Sequence, residues 1–413
     1  MSVIDLSGLK GGLRELPPLS LYIHFPWCVR KCPYCDFNSH ELKNSNGQTV
    51  QWNPQAGVAS SGFDEMAYVE TLLRDLEYSL PAIWGRSVST IFMGGGTPSL
   101  FSAQAMDTLL AGIRARLRLS PEAEITMEAN PGTFEAEKFR GYREAGINRL
   151  SIGIQSFNPQ HLQVLGRIHD GDEARRAIDI ALSCFDNVNL DLMYALPGQT
   201  LEQALQDIDI ALSHGITHLS AYHLTIEPNT LYAVRTPQNL PDDEVSADMQ
   251  DAIEARLAAA SFEHYETSAF ARPGKRSRHN VNYWQFGDYL GIGAGAHGKI
   301  SSHEGIVREM RHKQPAAYIQ AVADGQPVQS SRKVLRDELP FEFMMNLLRL
   351  TGGFETRLFT ERTGLPVSCI RNELQQAIQQ GLLEQDATTI RPTLQGQRFL
   401  NDLLTLFLRD GDQ

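Results

Sequence analysis

Cysteine is scarce in this chain: five in 413 residues, too few to form a disulfide framework. No apolar run approaches the roughly 18 residues that a membrane-crossing helix needs. Positive charge is also in deficit. Lys+Arg 37 against Asp+Glu 49 leaves −12, a poor balance for general binding to nucleic acid or anionic lipid. The first residues, MSVIDLSGLKGG, contain neither the basic nor the apolar stretch of a signal peptide. The expected location is therefore the cytoplasm, with peripheral membrane contact compatible with the sequence but no anchor encoded. Internal repeats are absent. One polar stretch without periodicity, residues 41–63, reads as a mobile insertion.

What the chain does have is a rhythm. β-rich runs at 19–25, 88–93, 124–128, 149–154, 188–193 and 217–222 alternate with amphipathic helical segments near 64–80, 102–116, 134–145, 170–184 and 200–213. Strands alternating with helices imply βαβ units and a parallel sheet. Six units in about 245 residues favour an α/β fold built as an incomplete (βα)6 TIM-like barrel over a Rossmann sheet. The expected division is an N-terminal extension (1–15), the partial barrel (16–260), a barrel extension (261–333) and a small winged-helix-like C-terminal domain (334–413). In the extension, 262–270 reads as one strand and 275–284 as a basic-aromatic loop. In the C-terminal domain, Val367, Ile370, Leu374 and Ile378 form a helical stripe, 382–392 a wing and 394–408 a last helix. From 334 to 413 there are 8 Lys+Arg and 11 Asp+Glu, an unsuitable balance for a DNA-binding surface.

Three of the five cysteines, Cys28, Cys32 and Cys35, fall in eight residues directly after the first strand, spaced C-x₃-C-x₂-C. Thiolates this close can converge on a soft metal centre. Three ligands leave one coordination position open for a substrate. An iron–sulfur cluster is the preferred reading, and a zinc site completed by His24 or His40 is the alternative. Cys184 and Cys369 lie in apolar helical surroundings and read as inert core thiols.

Further motifs follow the later strands. Gly94-Gly95-Gly96-Thr97-Pro98 ends the second strand, where bare backbone N–H groups could hold a carboxylate; no Gly-Lys-Ser/Thr follows, so it is not a P-loop. Glu128, Gln155 and Asp191 place one polar residue in each of the next three strands, and each needs a partner or a ligand. Arg167 could add a cation at the rim. Gly293-Ala-Gly-Ala-His-Gly298 has dinucleotide-loop spacing, but no helix is expected after it.

C-x₃-C-x₂-C after the first barrel strand, with Tyr34 before the last cysteine, resembles the radical S-adenosylmethionine superfamily. With GGGTP, Glu128, Gln155, Arg167 and Asp191, the chain resembles the oxygen-independent coproporphyrinogen III oxidase family over roughly residues 16–405. The resemblance implies a [4Fe–4S] cluster on Cys28, Cys32 and Cys35. It implies that Tyr22, Gly95, Glu128 and Thr225 contact S-adenosylmethionine on the cluster, and that Tyr34 packs on its adenine. Tyr34, Gly96, Thr97, Gln155, Arg167 and Asp191 correspond to a second S-adenosylmethionine region.

Two departures matter. The oxidases carry a fourth cysteine where this chain has Phe37, and here His279-Asn280-Val281-Asn282-Tyr283-Trp284 completes an H-N-x-x-Y-W string. Both features resemble the heme-chaperone branch of the family. That likeness implies heme binding through His279, Asn280, Tyr283 and Trp284, and delivery of heme to apo-heme respiratory proteins. In the residues themselves, His279 could ligate heme iron, Tyr283 and Trp284 offer flat apolar surface, and Lys275, Arg276 and Arg278 could meet propionates. A carrier and an oxidative decarboxylase of coproporphyrinogen III are thus the two readings. Cleavage of S-adenosylmethionine is compatible with either, and an unrelated radical enzyme is a weaker third.

Overall fold

The structure is a computed structural model that describes residues 13, 15–42, 64–133 and 136–408. The expected N-terminal extension and the insertion at 41–63 lie almost wholly outside the described residues.

Six strands pair in parallel in chain order: β1 (Leu19–Phe25), β2 (Ser87–Gly95), β3 (Arg118–Ala129), β4 (Arg149–Gln155), β5 (Val188–Tyr194) and β6 (His218–His223). Helices α1 (Glu65–Ser79), α2 (Ala103–Arg116), α3 (Ala136–Ala145), α4 (Gly171–Cys184) and α5 (Leu201–Ser213) connect them, and α6 (Asp243–Ala259) follows β6. Four of the starts carry a local signal. Asp64, Ser102 and Asp170 accept backbone N–H groups at the openings of α1, α2 and α4, and Thr200 does so for α5.

The strands alternate with period two. One face carries Leu19, Leu21, Ile23, Ile91, Met93, Ile125, Met127, Leu150, Ile152, Leu190 and Leu219, all in the main core under the helices. The opposite face carries Ser20, Tyr22, Thr90, Glu124, Thr126, Glu128, Arg149, Ser151, Asn189, Asp191, His218 and Ser220. The polar residue expected singly in each strand is one of a row, and these rows line the inside of the barrel.

The sheet extends at both edges to twelve strands. Next to β6 lies an antiparallel hairpin, β7 (Glu263–Glu266) and β8 (Ala269–Ala271), where one strand was expected over 262–270; a turn at 267–268 splits it. Next to β1 lies β9 (Asp288–Ile292), a seventh parallel strand that sequence reading missed. Beyond it are the antiparallel strands β10 (His297–Ser302), β11 (Gly305–Arg311) and β12 (Val328–Lys333). β7 and β12 stand at the two ends of the sheet order, so the barrel is open. The glycine-rich 293–298 segment joins β9 to an antiparallel neighbour rather than to a helix, which removes the dinucleotide reading.

The 275–284 segment is not simply a loop. Residues Arg278–Trp284 form helix α7, started by Ser277, whose hydroxyl accepts the N–H of Asn280. Beyond β12, a second apolar cluster gathers around Phe343, Phe354, Phe359, Leu374 and Ile390. The expected wing is present as Leu383–Gln385 paired antiparallel to Thr389–Pro392, but the last helix is broken at Phe399 into Leu394–Arg398 and Leu400–Thr405. Ile378, on the expected helical stripe, is exposed. Cys184 and Cys369 are half-buried at the edges of the two clusters rather than within them.

Two buried ion pairs tie the extension to the barrel. Asp75 on α1 meets the Arg311 guanidinium at 3.0 Å and also accepts from the Tyr318 hydroxyl and the Gly293 N–H. Asp288 on β9 meets Lys299 at 2.9 Å, Arg86 at 2.8 Å and the Ser301 hydroxyl at 2.7 Å.

Candidate functional site

The chain leaves β1 at Phe25 and enters the cysteine loop, which is stapled at both ends. Trp27–Cys28 pairs in parallel with His40–Glu41. The Gly96 and Thr97 N–H groups donate to the Phe25 and Trp27 carbonyls at 2.6 and 2.8 Å. Together with the Gly95 N–H, which donates to Glu128 Oε2 at 3.0 Å, these bonds occupy all three N–H groups at 95–97. The expectation that they are free for a ligand carboxylate is corrected accordingly. The glycines serve close packing instead. A Cβ on Gly95, at φ +107°, would lie 2.3 Å from the His24 ring, and one on Gly96 would lie 2.5 Å from the Trp27 carbonyl oxygen.

Cys28, Cys32 and Cys35 are free, half-buried thiols. Each sulfur has a polar neighbour: Thr97 Oγ1 donates to Cys28 at 3.6 Å, Arg167 Nη1 to Cys32 at 3.6 Å, and Ser39 Oγ lies 3.8 Å from Cys35. Burial pushes the Cys28 thiol up to about 11 and raises that of Cys35. A bound metal centre inverts this by holding the thiolates directly. Three thiols with hydrogen-bond donors and a cation aimed at the sulfurs fit an electron-rich cluster, whose potential is tuned by such contacts. The zinc alternative fits less well. His24 uses both ring nitrogens, Nδ1 with the Tyr22 hydroxyl at 3.0 Å and Nε2 with the Asn38 carbonyl at 2.9 Å, while His40 bonds Asn38 Oδ1. Among the described residues no three His, Cys, Asp or Glu side chains gather as around a single ion.

Behind the cysteines lies a network that sequence reading only half found. Arg167 Nη2 donates to Asn130 Oδ1 at 2.5 Å and to the Gly153 carbonyl at 2.6 Å; Asn130 Nδ2 donates to Thr97 Oγ1 at 2.9 Å. Asn130 was missed. Its signal was its place just past the end of β3, two residues after Glu128. Gln155 ends β4 with φ +69°, a conformation that costs energy in a non-glycine residue and clusters at functional sites.

Deeper inside, burial first, and then the charge of Asp191, push the Glu128 carboxyl up to about 8, against the pull of the Gly95 N–H. Asp191 is raised by burial, opposed by bonds from Ser151 and Asn189 at 2.9 and 2.8 Å. Tyr22 is raised by burial and by Glu128. Tyr34 packs against the apolar group of Leu165, Met193, Leu196 and Tyr232 beside the loop. Thr225 stands apart: it is exposed beyond β6, and its hydroxyl donates to its neighbour His223 at 3.4 Å.

The H-N-x-x-Y-W residues do not share a face. His279 is buried at the barrel floor, with Nδ1 3.0 Å from Thr90 Oγ1, its N–H donating to Glu124 at 3.1 Å and its ring 5.1 Å from that of Phe92. Burial, then Arg149, lowers it to about 3. Asn282 also points inward, donating to Ser20 Oγ at 2.8 Å. Asn280 is half-buried at the start of α7. Tyr283 and Trp284 turn the other way, onto Tyr289 and the second cluster, with Arg349 4.4 Å above the Trp284 ring. The cations expected for propionates are partly engaged: Arg276 pairs with Glu263 and Arg278 donates to the Glu122 carbonyl.

Residues 22–211 match the radical SAM superfamily and residues 334–399 match the HemN C-terminal domain. Coproporphyrinogen III oxidase (HemN) from Escherichia coli, a radical SAM enzyme, superposes with a TM-score of 0.77 over 96% of this chain and 92% of its own at 22% identity, which establishes a shared fold. Fold and matched domains thus define a radical SAM protein, a class that implies a [4Fe–4S] cluster and S-adenosylmethionine. The heme chaperone HemW of Escherichia coli is 49% identical over 398 residues, 96% of this chain and 100% of that protein. HemW of Haemophilus influenzae is 46% identical over 96% of this chain and 99% of its own. HemW of Bacillus subtilis is 32% identical over 94% and 99%. The chain belongs to the HemW family.

Proposed function

We propose that this protein is a heme chaperone that binds heme on a radical SAM scaffold and passes it to apo-heme proteins, respiratory ones among them. Cys28, Cys32 and Cys35 are the ligands assigned to the [4Fe–4S] cluster, which when bound supplies one-electron chemistry. Tyr22, Tyr34, Gly95, Gly96, Thr97, Glu128, Gln155, Arg167, Asp191 and Thr225 are assigned to S-adenosylmethionine. Arg167 and Thr97 hold the sulfurs; Glu128, kept protonated near neutral pH, can donate or accept a hydrogen bond at the cavity wall. His279, Asn280, Tyr283 and Trp284 are assigned to heme, with the inward His279 as axial ligand and Tyr283 and Trp284 as support for its helix. The cytoplasm is the proposed location; among the described residues no helix is long and apolar enough to cross a membrane.

The observation that carries this reading is the state of His279. Burial favours its neutral ring, Thr90 holds Nδ1, and among the described residues Nε2 has no hydrogen-bond partner. A neutral imidazole oriented through its other nitrogen is the form that ligates iron. The relatives' names support the heme, and Phe37 in the fourth-cysteine position leaves the oxidase reading without an observation of its own.

Hemin titration followed by visible absorbance tests it, on anaerobically reconstituted protein beside His279→Ala. A saturable Soret shift in the wild type, altered in the variant, is expected. Equal spectra and affinity would remove His279 as ligand; no specific binding in the wild type would overturn the chaperone reading.

A further inference from the structure

The inner face of the barrel holds a cation that the cluster site does not use. Tyr22, Phe92, Thr126 and Arg149 form one register row across β1, β2, β3 and β4. Arg149 is 2% exposed and heads the fully buried side chains by volume. Its Nε is buried with no hydrogen-bond partner, as is Oγ1 of Thr126 beside it. Among the described residues the guanidinium forms no ion pair and no hydrogen bond. The other buried arginine of this size, Arg311, shows the contrast, with Asp75, Glu309 and Ser79 on its guanidinium.

The neighbours do not neutralise Arg149 by contact. Glu124 spends its carboxylate on the N–H groups of Arg278 and His279. Asp191 bonds Ser151 and Asn189 instead, and Arg149 acts on its carboxyl only through space, without a hydrogen bond among the described residues. His218 is locked between Asn189 Oδ1 at 2.6 Å and the Tyr265 hydroxyl at 2.8 Å. His218 and His279 are both held neutral by burial, so neither competes as a cation. A buried charge without a partner is strongly unfavourable, and a protein keeps one where a ligand completes it. The row is also next to a space a ligand could enter: Tyr22, Phe92, Glu128, Gln155 and Asp191 are each partly exposed although their strands are covered by helices.

We infer that the barrel floor is an anion-binding subsite anchored by Arg149, with Thr126 as a second donor, and that the group it takes is a carboxylate of the tetrapyrrole. The chemistry suits a propionate: a planar guanidinium offers paired N–H donors to a carboxylate, and a hydroxyl adds a third. The identity of the ligand rests on the heme reading above; the subsite itself does not.

The test compares hemin with hemin dimethyl ester, in which both propionates are masked, on the full-length protein. The wild type is expected to bind hemin at least ~10-fold more tightly than the ester, the loss of a charge-assisted pair. Arg149→Met should erase that margin and Arg149→Lys should restore part of it. Equal affinity of the wild type for hemin and its ester, or an unchanged margin in Arg149→Met, overturns the proposal while leaving heme binding intact. The first comparison needs no variant to fold. If the wild type binds neither compound, the heme reading fails, and the subsite is judged with acetate alone. Acetate should raise the unfolding midpoint of the wild type above that in chloride at equal ionic strength, and do so less in Arg149→Met. No acetate-specific rise overturns the subsite.

Discussion

Arg167 Nη1 stands 3.6 Å from the sulfur of Cys32, 135 positions earlier in the chain. The guanidinium is aimed by Asn130 and the Gly153 carbonyl, so its position follows from β3 and β4 rather than from the cysteine loop. A fixed cation beside a cluster ligand favours the more reduced, more negative state. Arg167→Gln should therefore make the cluster potential more negative, by tens of millivolts, with iron content retained. A redox titration followed by electron paramagnetic resonance measures this; a potential that stays at the wild-type value would detach Arg167 from the cluster.

Cys28→Ser should abolish cluster assembly and spare the fold, because the ligands sit on a loop whose backbone is stapled independently by residues 40–41 and 96–97. Iron and sulfide analysis beside circular dichroism separates the two outcomes. Iron and sulfide at the wild-type level would contradict the ligand assignment.

Glu128 gives a pH dependence of defined sign. Its carboxyl rises from 4.5 to about 8 on folding, so the native state holds the proton more tightly than the unfolded chain. Its contribution to stability is complete below pH 4.5 and is lost as pH rises through 8. Glu128→Gln should flatten the decline in stability across this window. The gain over wild type should grow toward pH 8 and amount to a few kcal/mol at most, less what water in the cavity screens. Urea unfolding at pH 5, 6.5 and 8 is the check, and parallel curves for the two proteins would count against the buried, raised carboxyl.

Asp75→Asn should cost about 3–5 kcal/mol, the range for leaving one partner of a buried pair uncompensated. Arg311 is 1% exposed, and the half-exposed Glu309 would be left as its carboxylate in place of the fully buried Asp75. The same change loosens the bond to the Gly293 N–H, which lies beside His24. Denaturant midpoints measure the loss; a cost under about 1 kcal/mol would show that the pair is replaceable.

Local chemistry was legible in the chain. The six βα units and the cysteine loop after β1 follow from short-range pattern. The resemblance drawn from C-x₃-C-x₂-C, GGGTP and H-N-x-x-Y-W led to the family. Interactions across long separations were not legible. β9 is five residues that earn their place as a seventh parallel strand only by pairing with β1, some 270 residues earlier. The H-N-x-x-Y-W string gives no sign that His279 and Asn282 turn inward while Tyr283 and Trp284 turn toward the second cluster, because a helix divides its residues by what packs on each side. Asn130 and Arg149 look like ordinary strand residues in the sequence. The parallel register sets Arg149 beside Thr126 and directs it into the barrel, where its buried Nε has no hydrogen-bond partner among the described residues.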